Sequence, residues 1–195
     1  MARKWDNPTS VDIDGVVHPI RNKCDYRVVL DIIAVLNDNE LEMEDRLFCS
    51  LFIFYGNDKN NTIAKVLYSL KNAQKAAEEM MRIINLGEEQ TEEKETKPPI
   101  MDWSHDFMQI APPISRVLGY SVREENKYTH YYDFVGAYME IGECSFSTII
   151  NIRQKKQKGK KLENWEQEYY LANKKIIDLP RKLTAEEEEF LNSDW

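Results

Sequence analysis

The chain has 195 residues, an apolar fraction of 42% and a formal net charge of −8 at pH 7. A chain of this length and composition can bury a core for one domain or two small ones, which excludes wholesale disorder. The acidic balance argues against nucleic acid as the main partner, and a count of only seven glycines and seven prolines favours helices over a turn-rich sheet fold.

The first part of the sequence predicts a β-hairpin followed by three helices. Apolar and polar residues alternate over residues 10–20 around Asp14-Gly15, a dipeptide typical of tight hairpin turns. Asp25 is a suitable cap for a first helix. A second helix runs from about residue 40 to 55, with Met43 on its apolar face. Apolar residues at spacings of three and four predict a third, continuous helix over residues 62–86.

Residues 88–99 predict an acidic linker, because they hold charge and a Pro-Pro stop but no large apolar residue. The helical pattern resumes at residue 100, and Pro112-Pro113 predicts an interruption, since proline removes a backbone donor. Further helices are expected over residues 127–141, from 145, over 163–177 and briefly from 184. We therefore predict a mainly α fold, a helical bundle with a short N-terminal β-hairpin, in two lobes of residues 1–87 and 100–195.

The three cysteines, Cys24, Cys49 and Cys144, are widely spaced and form no C-x-x-C pair. This pattern favours neither a disulfide framework nor a cysteine zinc site, and it fits a reducing cytosol. The first residues lack the apolar segment of a signal peptide. The strongest apolar run, residues 51–55, is too short to cross a bilayer, so we expect a cytosolic chain without membrane contact.

Asp102, His105, Asp106 and His130 come nearest to a metal or acid–base site. The His105-Asp106 pair is typical of metal-dependent phosphohydrolases, but that chemistry needs more ligands than a chain with three histidines offers. The structural alternative is that Asp102 or Ser104 caps a helix and that His130 packs among tyrosines. Walker, G-x-G-x-x-G, H-E-x-x-H and G-x-S-x-G motifs are also missing from the sequence. We expect no catalytic residue, no metal, no cofactor and no enzymatic activity.

A basic patch follows the predicted helix at residue 145 and consists of Arg153, Lys155, Lys156, Lys158, Lys160 and Lys161. It could contact nucleic acid or an acidic partner. It could equally be a solvated helix end, where cations are favoured by the helix dipole. A third reading is that it pairs with the acidic segments of the same chain, at residues 88–95 or 186–189.

The aromatic segment is the most informative feature, and it consists of Tyr128, Tyr131, Tyr132, Phe134 and Tyr138. Adjacent tyrosines on a helix point in different directions, so one can enter the core while the other meets solvent or a neighbour. Tyrosine at a protein contact offers large apolar area and one hydrogen bond. The segment is therefore either simply core or partly a protein-binding surface.

Several of these segments resemble the phage "gene product fifteen" family, which is encoded in the tail modules of phages and prophages of Gram-positive bacteria. Residues 8–26, PTSVDIDGVVHPIRNKCDY, resemble its opening hairpin. The more specific likeness lies at residues 102–120, at THYYDF (129–134), at FSTIINIR (146–153) and at residues 158–173. The family runs through residues 111–114 as one helix, whereas Pro112-Pro113 predicts a kink here.

The resemblance implies no catalytic residues, and it implies a role through gene neighbourhood, beside the tape-measure gene. It suggests a tail-assembly chaperone in the host bacterial cytoplasm that binds the tape-measure protein and keeps it soluble before tail-tube polymerisation. Further partners would be the tail-tube protein or another copy of the chain. The alternatives are a structural component of the virion tail or connector, and a nucleic-acid or regulatory binding protein that uses the basic patch.

Overall fold

The computed structural model describes residues 5–56, 63–87 and 98–180. These residues form a mainly α fold with a short N-terminal hairpin, which confirms the predicted fold class. In chain order the elements are β1 (Ser10–Ile13), β2 (Val16–Pro19), a 3₁₀ turn (Arg21–Lys23), α1 (Tyr26–Leu36), α2 (Met43–Tyr55), α3 (Ile63–Leu70), α4 (Ala73–Ile84), α5 (Trp103–Leu118), α6 (Tyr131–Met139), α7 (Ser145–Gln157), α8 (Asn164–Ala172) and α9 (Lys174–Ile177).

The hairpin forms where the Asp14-Gly15 signal predicted it. The strands are antiparallel, and Ile13 pairs with Val16 across the turn. Asp14 and Gly15 both have positive φ, 52° and 83°, as this tight turn requires. Val11 and Ile13 are buried, so one face of the hairpin contributes to the core.

The first two helices begin close to their predicted starts. The Asp25 side chain caps α1 by accepting a hydrogen bond from the Arg27 N–H at 3.0 Å. Helix α2 buries Leu51 and Phe54 completely, but Met43 is 83% exposed. Its placement on the apolar face was wrong, because Met43 is the first helical residue and lies at the solvent end of α2.

The predicted third helix is two helices, α3 and α4. The break is at Lys71, whose φ of 57° is left-handed, and at Asn72, whose side chain caps α4 by accepting from the Lys75 N–H at 3.1 Å. The Asn72 amide also donates to the Asp14 carboxylate at 3.1 Å. An asparagine cap and a left-handed residue outweigh a continuous apolar stripe here.

Helix α5 runs without interruption through Pro112 and Pro113, so the predicted break there was wrong. Proline inside a helix costs about 3 kcal/mol. Ile110, Ala111 and Ile114, on either side of the prolines, are at most 1% exposed. Their burial offsets the loss of two backbone donors.

The described residues group into two compact units, one within residues 1–97 and 111–142 and the other within residues 98–110 and 143–195. Residues 111–142 thus group with the N-terminal part of the chain. Most of the predicted acidic linker and the predicted helix from 184 lie outside the described residues, and the predicted lobe boundaries stay a prediction. Within residues 5–56, 63–87 and 98–180, no helix combines the length and apolar character that a bilayer crossing needs.

Candidate functional site

Two segments far apart in sequence are joined by backbone hydrogen bonds at the start of the aromatic segment. The Tyr26 N–H donates to the Thr129 carbonyl and the Tyr131 N–H donates to the Cys24 carbonyl, both at 2.9 Å. The buried Asp25 carboxylate also accepts from the Thr129 N–H at 3.2 Å. Residues 24–26 and 129–131 therefore form one structural unit, and both belong to segments that carry the family resemblance.

Arg27 and Tyr26 fix the loop that precedes α6. The Tyr26 hydroxyl donates to the Val122 carbonyl at 2.6 Å. The Arg27 guanidinium donates to three carbonyls of the same loop, those of Val122 (2.8 Å), Glu124 (2.8 Å) and Lys127 (3.0 Å). These contacts hold the loop by its backbone.

His130 sets the first residue of α6. Its Nδ1 accepts from the Tyr132 N–H at 3.0 Å, as an N-cap, and its Nε2 therefore carries the proton and donates to the Pro8 carbonyl at 2.9 Å. The helix predicted from residue 127 begins at Tyr131 for this reason. Tyr128 consequently lies in the loop rather than on the helix.

The inner side of the aromatic segment is core. Phe134 is fully buried and stacks on the Tyr26 ring, with 4.2 Å between the ring centroids. Tyr131 is 5% exposed and its hydroxyl donates to the Ile84 carbonyl at 3.1 Å. Burial raises the pKa of Tyr131 to about 12. These two residues hold α6 in place and are closed to a partner.

The outer side of the segment is open to solvent. Tyr128 is 47% exposed, although its hydroxyl donates to the Lys23 carbonyl at 2.9 Å. Tyr132 and Tyr138 are half-buried. Met139 follows them on α6 and is 67% exposed. The segment thus combines core and surface, as expected from adjacent tyrosines on a helix.

Arg153 does not belong to an exposed patch, because its side chain is only 6% exposed. All five of its N–H donors are satisfied. Two donate to the Asp106 carboxylate at 2.7 Å each, and the others donate to the carbonyls of Ile177 (2.6 Å), Ile176 (2.8 Å) and Ile100 (3.0 Å). Arg153 thereby connects α7 to α5, to α9 and to the segment before α5.

The lysines of the basic patch divide into two groups. The Lys155 ammonium lies 2.6 Å from the Glu166 carboxylate, and hydrogen bonding to Lys155 lowers the pKa of Glu166. Lys156 pairs with Asp178 and lies over the Tyr170 ring, 3.8 Å from its centroid. The exposed remainder of the patch is Lys158, Lys160 and Lys161. Half of the predicted patch therefore stabilises the unit that contains it.

The residues that most resemble metal ligands in the sequence have structural partners instead. Asp102 caps α5 by accepting from the His105 N–H at 2.9 Å, as the structural reading predicted. Asp106 is held by Arg153, and the His105 Nε2 lies 3.1 Å from the Ile176 carbonyl. In the described part of the chain, no three His, Cys, Asp or Glu side chains are grouped as metal ligands would be.

Comparison with known proteins identifies the class. The family model described as "Bacteriophage Gp15 protein" matches residues 6–179, and the chain belongs to this family. It is accordingly a bacteriophage protein related to the virion or its tail. No curated protein and no solved structure matches the chain.

Proposed function

We propose that this chain is a tail-assembly chaperone that binds the tape-measure protein in the host bacterial cytoplasm. It would keep that protein soluble until the tail-tube protein polymerises around it. A tape-measure protein is a very long helical chain, and apolar stripes left bare on such a chain promote aggregation. A small helical protein that covers those stripes would prevent it.

The observation that carries the proposal is the two-sided character of the aromatic segment. Tyr131 and Phe134 anchor α6 in the core, while Tyr128, Tyr132 and Tyr138 keep part of their surface in solvent. A rigid helix with an open aromatic side can receive another helix without rearranging. The backbone hydrogen bonds from Tyr26 and Tyr131 supply the rigidity.

Charge supports the same role. The net charge of −8 would keep a complex with an aggregation-prone chain soluble through mutual repulsion. Release by the tail-tube protein requires modest affinity for each copy, and many copies along one tape-measure chain would make the overall binding strong. Within this proposal the chain forms and breaks no covalent bonds and is not an enzyme.

The second candidate is a structural component of the virion tail or connector, since the family match supports a virion-related protein in general. Quantitative mass spectrometry of purified particles separates the two functions. A chaperone should be abundant in the infected-cell lysate and missing from finished virions. Stoichiometric presence in virions would support the structural role and count against the chaperone.

Nucleic-acid binding has less support, because Arg153 is buried and Lys155 and Lys156 are paired with carboxylates. Lys158, Lys160 and Lys161 are the exposed remainder of the patch. Their combined replacement by glutamate should leave retention on DNA and RNA columns unchanged. If the wild-type chain is retained in a salt-sensitive way and the variant is not, nucleic-acid binding through these lysines would be supported.

A further inference from the structure

Helix α6 has an exposed face with an unusual centre. Gly136 is exposed and lies in the middle of this nine-residue helix, and a Cβ built on it would meet no atom of the described residues within 4 Å. The packing among residues 5–56, 63–87 and 98–180 therefore has no need of glycine there. Glycine inside a helix is unfavourable relative to alanine, and close approach of another helix would account for its presence.

The residues around Gly136 divide the face into two strips. Helical periodicity places Tyr132 and Met139 on one side of Gly136 and Asp133 and Glu140 on the other. Met139 is 67% exposed and Tyr132 is half-buried. One edge of the face is thus apolar, the other edge is acidic, and the midline lacks a side chain.

The charge of the acidic strip is not neutralised within the helix. The segment YYDFVGAYM contains no lysine or arginine. The Asp133 carboxylate accepts a hydrogen bond from the uncharged Asn7 amide at 3.0 Å. Arg116 lies at the C-terminal end of α6, where it donates to the Ile141 carbonyl at 2.6 Å. In the described residues Glu140 has no ion-pair partner.

We propose that this face of α6, centred on Gly136, docks an amphipathic helix whose apolar stripe is bordered along one edge by lysine or arginine. The inference rests on the proposed function and specifies the chemistry of the tape-measure segments that the chaperone recognises. The absent side chain at residue 136 lets the two helix backbones approach closely. Tyr132 and Met139 then cover the apolar stripe, while Asp133 and Glu140 meet its basic edge.

The test uses the full chain and an array of overlapping peptides that spans the tape-measure product of the same tail module. Wild-type protein should capture peptides that share an apolar stripe with a basic edge. Gly136→Leu fills the midline and should lower capture at least about tenfold, as for the central residue of an interface. Gly136→Ala should raise the midpoint of thermal unfolding, because alanine favours the helix, and yet weaken capture. The matched control is Ala34→Leu, at an exposed position of α1, which should leave capture unchanged.

The acidic strip is tested by charge reversal. Glu140→Lys places a cation at the C-terminal end of α6, where the helix dipole favours it, so the fold should not suffer. Capture of the basic-edged peptides should fall by about threefold or more. Glu125→Lys makes the same change of net charge in the exposed loop before α6 and should have little effect.

The outcomes separate the two proposals. If wild-type protein captures no tape-measure peptide, the proposed function fails and this inference fails with it. If it captures peptides but Gly136→Leu and Glu140→Lys capture the same ones equally well, the chaperone function stands and the docking face is wrong. Capture of peptides without a basic edge would likewise overturn the inference.

Discussion

Replacing Arg153 by methionine should strongly destabilise the unit of residues 98–110 and 143–195. Arg153 and Asp106 are 6% and 0% exposed and share two hydrogen bonds of 2.7 Å. Removing the guanidinium leaves the Asp106 carboxylate buried without its cation and strips three carbonyls of a donor. Loss of one partner from a buried ion pair costs about 3–5 kcal/mol. That is a large part of the roughly 5–15 kcal/mol that stabilises a typical domain.

The double variant Arg153→Met/Asp106→Leu tests the cause of this loss. It removes the stranded charge, so it should be more stable than Arg153→Met alone by at least about 1 kcal/mol. Lys155→Met is a milder control, because the Lys155 side chain is 31% exposed and the Glu166 carboxylate keeps the hydrogen bond that it accepts from the Glu163 N–H at 2.9 Å. Its effect should be much smaller.

The free energies are measured by urea unfolding, followed by circular dichroism and tryptophan fluorescence. Hydrogen exchange by mass spectrometry assigns the loss to a unit without assuming that the whole chain unfolds in one step. Exchange should accelerate in α7 and α9 of the Arg153→Met variant. A loss below about 1 kcal/mol, or a double variant no more stable than the single one, would contradict the account of Arg153 as a buried, saturated ion-pair residue.

Three further predictions concern single side chains. His130→Ala should lower the free energy of unfolding by about 0.5–2 kcal/mol through loss of the α6 cap. His130→Asn keeps a capping oxygen and should lose less. Equal urea midpoints for the two variants would argue against capping. Hydrogen bonding to Lys155 lowers the Glu166 pKa below its usual value of 4.5. The stability contributed by this pair is therefore present above pH 4.5 and is lost as the pH falls through the lowered pKa. Glu166→Gln should reduce this acid sensitivity when the free energy of unfolding is measured against pH. Burial raises the pKa of Cys24 to about 12. Iodoacetamide at about pH 8 should therefore modify Cys24 only when urea unfolds the chain. Rapid labelling of Cys24 in the native protein, detected by mass spectrometry, would contradict its burial.

Local signals in the sequence predicted most of the first elements. Asp14 and Gly15 form their turn through backbone conformation, and the Asp25 side chain caps α1 through an N–H two residues away, so no distant contact was needed. The prediction of one continuous third helix was wrong because the apolar stripe at helical spacing continues past Asn72. The Asn72 side chain that caps α4 also donates a hydrogen bond to Asp14, a partner 58 residues away in sequence. The predicted break at Pro112-Pro113 was wrong because burial of Ile114 and its neighbours offsets the local cost of proline inside a helix.

The aromatic segment was recognisable from its composition, but its division into core and surface was not. That division depends on where α6 begins, which His130 decides through a contact to Pro8, 122 residues away. Arg153 was assigned to the basic patch because its neighbours are lysines. Its pairing with Asp106 joins two helices far apart in sequence, and nothing local distinguishes it from Lys155. Long-range ion pairs of this kind are beyond single-sequence patterns.

The central claim is that this chain keeps a tape-measure protein soluble by covering its apolar stripes. The most direct measurement is the soluble fraction of the tape-measure product from the same tail module, expressed with and without this chain and quantified after sedimentation. The account predicts that most of the product pellets when expressed alone and stays in the supernatant, bound to this chain, when the two are co-expressed. An unchanged soluble fraction at saturating amounts of folded chain would contradict it.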